Sequence, residues 1–212
     1  MSIAHTVVLL PALADSSAQT TAQKLALQEV APVLSPEIGV SGTGPVILED
    51  PALSVLGAMS ATNTDQVVLV GHGWGSMVAL QVAASHGERV AALMLSTNAR
   101  LQTIMVRSIF YGVLSLLPAT VVQQLGGKAA DVAALLDQVR PVDFKPLAER
   151  VHAPALVIVG ERDVANRGPS AALAQALPLG NLRVVPNAGA GWQAQRPRSV
   201  VELLVDFMSS LT

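Results

Sequence analysis

The sequence predicts an α/β fold, a mostly parallel sheet covered by helices on both faces. Three observations predict it. Short, continuous apolar runs recur at 7–10, 67–70, 90–96 and 155–159, the pattern of strands buried on both faces. Segments with helical spacing separate these runs, and strands alternating with helices build parallel sheets. Apolar residues make up 51% of the 212 and charged residues only 13%, which excludes a disordered chain and suits one domain with a sizeable core.

The run at 7–10 is the first strand. Residues 16–33 follow with helical spacing, Leu25, Val30 and Val33 standing among small polar residues. Residues 39–44 form a Gly/Ser/Thr loop, 45–48 a short strand and 51–61 a short helix. After the strand at 67–70 come a helix at 77–84 and the strand at 90–96. Further strands at 155–159 and 182–185 enclose a helix at 170–177, and a helix at 199–211 closes the chain. The stretch 101–150 breaks the alternation, with helical patterns at 101–117, 119–125 and 129–139 and no strand between them. Its apolar residues, Phe110 among them, read as a lid over an apolar pocket or as ordinary packing of a helical subdomain. The chain 1–212 then reads as one domain with a helical cap, 101–150, inside it.

Composition also narrows the partners. A net charge of −2 gives no reason to expect nucleic acid or an acidic membrane. With no cysteine there is no disulfide and no thiolate chemistry. Residues 6–14 are mostly apolar, but no Lys or Arg precedes them, so they read as a core strand, not a secretion signal, and the expected location is cytoplasmic. No apolar run reaches the roughly 18 residues of a membrane span. The expected partner is a small molecule. The sequence sets no oligomeric state.

Four segments carry chemistry. Val68-Leu69-Val70-Gly71-His72-Gly73-Trp74-Gly75-Ser76 runs from a strand through a glycine-rich turn into a helix. Val7-Val8-Leu9-Leu10-Pro11-Ala12-Leu13-Ala14-Asp15 is the first strand with its following loop. Pro154-Ala155-Leu156-Val157-Ile158-Val159-Gly160-Glu161-Arg162-Asp163 ends a strand on an acid. Val185-Pro186-Asn187-Ala188-Gly189-Ala190-Gly191-Trp192, followed by Arg196-Pro197, is the loop after the last strand. In this order they resemble the α/β-hydrolase superfamily, small esterase-like members in particular, over nearly the whole chain. The resemblance implies an oxyanion loop at Ala12 and Leu13, a nucleophile elbow at 71–75, a triad acid at Asp163 and a triad histidine at position 190. It also implies that 101–150 is the inserted cap.

Here the pattern is degenerate. The nucleophile position holds Gly73 and the histidine position Ala190; of the triad only Asp163 is kept. A triad serine reacts because histidine takes its proton and the acid orients that histidine. Removing such a unit costs roughly 10⁶ in rate, about 8 kcal/mol of barrier. Oxyanion donors and binding energy alone give roughly 10³–10⁴ over water.

No neighbour substitutes on sequence grounds. Ser76 lies about one helical turn past the tip and is expected to satisfy backbone N–H groups at the helix start. His72 is expected to be a buried, hydrogen-bonded structural histidine. His86 follows the next helix, while His5 and His152 precede strands at the far end of the sheet. Gly71-x-Gly73-x-Gly75 is mis-spaced for a dinucleotide loop, Gly126-Gly127-Lys128 lacks the spacing of a phosphate loop, and no acid/His cluster has metal-ligand spacing. The expectation is therefore no cofactor and no metal.

Asp163, without a histidine and in a partly apolar cavity, would act as general acid or base; the alternative is a loop cap for the N–H groups at 164–166. Trp74 and Trp192 flank positions 73 and 190, either as an aromatic wall against a ligand or as filling. Backbone N–H groups after Pro11 and at Trp74 could polarise a carbonyl. Glu49 and Asp50, ending the expected strand at 45–48, are weaker candidates. Three functions follow: a non-hydrolytic enzyme of cyclase, isomerase or lyase type acting on a small hydrophobic substrate; a serine esterase inactivated by substitution at 73 and 190; or a non-catalytic, ligand-binding pseudoenzyme.

Overall fold

The computed structural model describes residues 3–12, 15–39, 48–96 and 145–211. Among these, six strands form one wholly parallel sheet in the order β2-β1-β3-β4-β5-β6. They are β1 (Thr6–Leu10), β2 (Val33–Leu34), β3 (Val67–His72), β4 (Val90–Ser96), β5 (Ala155–Gly160) and β6 (Gly180–Val185). The helices are α1 (Ser17–Gln28), α2 (Glu49–Ala61), α3 (Trp74–Ser85), α4 (Lys145–Ala148), α5 (Val164–Ala176), α6 (Trp192–Gln195) and α7 (Pro197–Ser209), with a 3-10 turn at Gly87–Arg89.

The alternation of side chains along each strand divides the core in two. Val8, Leu10, Leu69, Leu93 and Val157 face α2, α3, α4 and α5. Val7, Leu9, Val70, Met94 and Ile158 face α1, α6 and α7. β3 is buried at every position, which is why it reads as an unbroken apolar run. α3 is buried from Trp74 to Ala83, so it shows no polar stripe.

Local chemistry explains the element ends. α1 opens on a full capping box: Ser16 Oγ accepts from the Gln19 N–H at 3.2 Å, and the Ser16 N–H reaches Gln19 Oε1 at 2.8 Å. α7 begins with Pro197, whose missing N–H has no acceptor to lose there.

Several boundaries differ from those expected. The helix predicted over 16–33 stops at Gln28, and Val33–Leu34 is a strand beside β1. Pro32 explains this, since it cannot continue a helix and biases Ala31 away from helical angles. The strand expected at 45–48 is not borne out at its one described residue. Leu48 has helical angles (φ −65, ψ −18) and leads into α2. Glu49 and Asp50 are therefore exposed acids in the first turn of a helix, where they complement its dipole, and not residues at a strand end. α5 begins six residues before the predicted helix at 170, with Pro169 inside it.

Of the stretch 101–150, residues through 144, Phe110 included, lie outside the described residues. Its described end, α4, places Leu147 and Ala148 in the core with α3. No described helix is long and apolar enough to cross a membrane.

Candidate functional site

The glycine-rich turn joins β3 to α3 at the C-terminal edge of the sheet. Gly73 sits at its tip with φ 53 and ψ −113, angles that a side chain makes costly. Its N–H donates to the Ser96 carbonyl at 2.9 Å, fixing the tip to the end of β4. Gly75 lies against the Leu10 carbonyl so closely that a Cβ would overlap that backbone. The turn thus has the strained, crowded strand-to-helix form that an elbow requires, with no side chain at its tip.

Ser76 is fully buried, and its hydroxyl donates to the Gly71 carbonyl at 2.8 Å and the Ser96 carbonyl at 3.2 Å. It bridges two strand ends and does not accept from helix N–H groups as expected. His72 is also fully buried, on the α1 side of the sheet by strand alternation. Burial lowers its pKa to about 4, so the ring is neutral at pH 7. Among the described residues neither ring nitrogen has a hydrogen-bond partner, contrary to the bonded histidine expected. His5 and His152 line a groove of about 720 Å³ with Ser85 and Glu88, at the opposite end of the strands.

Trp74 occupies the first position of α3, where its N–H has no intrahelical acceptor. Its indole is buried among the core residues on the α3 face, and Nε1 donates to the Ile38 carbonyl at 2.6 Å. Trp192, at the start of α6, is buried in the cluster on the other face, near Ala188, Val200 and Leu204 in that core. The two rings lie on opposite faces of the sheet, so they do not form one aromatic wall.

The loop after β1 departs from expectation at Ala12. Its N–H donates to Asp15 Oδ2 at 3.2 Å, and the Asp15 N–H returns a bond to the Ala12 carbonyl at 3.0 Å. The N–H expected to polarise a substrate carbonyl is thus held by a carboxylate. Leu13 lies outside the described residues.

Asp163 follows β5 and precedes α5. It is half-buried, and both of its carboxylate oxygens accept from Asn166 Nδ2, at 3.0 and 2.9 Å. It is neither enclosed nor partnerless, and its side chain caps no backbone N–H. Ala190 is exposed, between Gly189 and Gly191, and Gly191 has φ 66. Three bonds tie its loop to the one bearing Asp163. The Arg162 N–H donates to the Ala188 carbonyl at 2.8 Å, Arg162 Nη2 to Asn187 Oδ1 at 2.8 Å, and the Asn187 N–H to Glu161 Oε2 at 2.8 Å.

Positions 73, 163 and 190 therefore follow β3, β5 and β6 at one edge of the sheet. Sequence reasoning missed Asp15, Ile38, Ser96 and Asn166. Asp15 and Asn166 each stand three residues from their partners, a spacing that favours local side-chain bonds. Ile38 and Ser96 act through backbone carbonyls and leave no signal in the sequence. Among the described residues no group of acids and histidines could hold a metal.

Comparison with known proteins agrees with this architecture. The family model described as alpha/beta hydrolase fold matches residues 46–139. An esterase from Thermogutta terrifontis is 21% identical, with 99% of this chain and 91% of that chain covered and a TM-score of 0.76. An enol-lactonase from Burkholderia xenovorans LB400 is 22% identical, with coverages of 98% and 92% and a TM-score of 0.71. A putative non-heme bromoperoxidase from Mycobacterium tuberculosis H37Rv is 18% identical, with coverages of 100% and 94% and a TM-score of 0.77. No functionally curated protein matches the sequence. At these identities the likeness to solved structures is one of fold, and it extends over nearly the whole chain. With its parallel sheet, its glycine-rich turn after β3 and the acid-bearing loop after β5, the chain has the α/β-hydrolase fold.

Proposed function

We propose that this chain is a non-hydrolytic member of the superfamily, converting a small hydrophobic substrate without a covalent intermediate. The observation that carries the reading is Gly73 at the elbow tip, with no hydroxyl to attack a carbonyl. Ser76 does not replace it, because its hydroxyl is buried and bonded to two carbonyls. Nor does a histidine stand at position 190 to act as base. A cyclisation, isomerisation or elimination needs neither group. The backbone N–H of Trp74, at the first position of α3, would polarise the substrate carbonyl, and a closed apolar pocket would hold the reacting atoms close. Asp163, held by Asn166 after β5, would serve as the general acid or base.

A second reading is favoured by the backbone at Gly73, whose φ of 53 and ψ of −113 keep the strained form of an elbow. On that reading the chain is a serine esterase with its nucleophile and histidine replaced at 73 and 190. The third is a non-catalytic binder, which would hold its ligand without turnover.

Incubation with a panel of small apolar esters, lactones and enones in ¹⁸O-labelled water separates the three. The proposal expects a converted product without label. A labelled carboxylic acid would show hydrolysis, and saturable binding with no conversion would show a binder; either result overturns the proposal.

A further inference from the structure

We infer that the outer edge of β6 is a self-complementary surface that pairs two copies of this chain. Among the described residues the sheet ends at β6. The Ala155 N–H donates to the Leu179 carbonyl at 3.0 Å, and the Glu161 N–H to the Val185 carbonyl at 2.9 Å. In a parallel ladder the polar groups of alternate residues point to the same side. The odd-numbered residues of β6 therefore bond β5, while Leu182 and Val184 turn their N–H and C=O groups outward. Gly180 turns out only its carbonyl, since its N–H is held by Leu177 at 3.0 Å.

Neither proline nor bulge blunts this edge, and Arg183 is its one charged residue. The register of β6 with β5 runs unbroken from Gly180 to Val185. Leu182 and Val184 are 41% and 38% exposed, so the free edge carries apolar side chains as well as free backbone groups.

Charge decides what fits there. Arg183 and Asp206 line one cavity of about 350 Å³ between β6 and α7, with Asn181 and Phe207. Neither charged side chain has an ion pair or hydrogen bond among the described residues. A two-fold operation swaps them: Arg183 of each copy meets Asp206 of the other. A foreign strand would need this complementarity by chance, whereas a second copy supplies it by symmetry.

The register follows. An antiparallel pairing centred on Arg183 would set two like charges opposite each other, which is destabilising. Centred on Leu182, it sets Arg183 opposite Asn181 of the second copy. Leu182 then exchanges both backbone bonds with its own copy, and the Val184 N–H meets the Gly180 carbonyl. The outcome is one continuous sheet through two molecules.

The test is sedimentation velocity of the full chain across a concentration series from below one micromolar to tens of micromolar. A dimer is expected. Leu182→Pro removes only an outward N–H and should give a folded monomer by circular dichroism. Arg183→Asp should weaken the dimer by about tenfold. Arg183→Asp combined with Asp206→Arg should restore it. If Leu182→Pro does not fold, the charge exchange alone decides. A monomer throughout the series overturns the inference, whatever foreign strand the edge then accepts. So does a dimer indifferent to Arg183→Asp, or one that the double exchange fails to restore.

Discussion

Both carboxylate oxygens of Asp163 accept from a single donor, Asn166 Nδ2, at 3.0 and 2.9 Å. The amide stands three residues further on, one helical turn away, and holds the carboxylate at the start of α5. Removing the amide by Asn166→Ala frees the carboxylate and loosens the entry into α5. Because the pair is half-exposed, the expected cost is small, roughly 0.5–1 kcal/mol. Thermal unfolding should shift down by about 2–4 °C per kcal/mol in a chain of this size. On the proposed function, conversion should change as well, and Asp163→Asn should abolish it while leaving the unfolding temperature within a few degrees.

Gly73 is relaxed where another residue would be strained. Gly73→Ala should lower stability by roughly 1–3 kcal/mol, because φ 53 with ψ −113 is open to glycine and costly for alanine. Chemical denaturation with the slope held constant would read this directly. An unchanged midpoint would mean that the turn has relaxed away from the elbow form.

Ser76 links the ends of β3 and β4 through two carbonyls. Ser76→Ala takes a donor from the Gly71 carbonyl and leaves the Ser96 carbonyl only the Gly73 N–H, a loss of about 1–3 kcal/mol. Its effect should be on stability, with turnover per folded molecule unchanged. Loss of turnover in a fully folded Ser76→Ala protein would instead make Ser76 the nucleophile.

His72 makes stability depend on pH. Its pKa is lowered by burial from 6.5 to about 4, so the unfolded chain takes up the proton first as pH falls. Its contribution is fully present above pH 6.5, is lost progressively from 6.5 down to about 4, and is constant below that. The full loss is about 3 kcal/mol for a shift of this size. Denaturation midpoints across that window should show the slope in the parent and a flatter line in His72→Gln. Equal slopes would assign the acid sensitivity to other groups.

The sheet was legible wherever burial on both faces left an unbroken apolar run. β1, β3, β4 and β5 are of that kind, and their positions in sequence fall within a residue or two of those expected. β2 was hidden, because two half-buried residues make no pattern; only Pro32 marks the break before them. The elbow was legible because its glycines answer a geometric need, at Gly75 against Leu10 most directly. What the candidate site does with its polar groups was not. Whether Ala12 offers its N–H outward or to Asp15, and whether Asp163 faces a pocket or Asn166, depends on rotamers that residue type alone does not set. The facing of Trp74 and Trp192 was likewise settled by the sheet lying between them.

The proposed function requires that this edge of the sheet is not an acyl-transfer site waiting for two side chains. Ester hydrolysis by the parent and by the Gly73→Ser, Ala190→His double variant, on a short-chain activated ester, tests it most directly. With the Ala12 N–H held by Asp15 and Asp163 held by Asn166, the expected result is a folded variant no faster than the parent, and both near the rate without protein. A gain of several orders of magnitude in the double variant, on the order of the 10⁴–10⁶ that a working triad supplies, would contradict it.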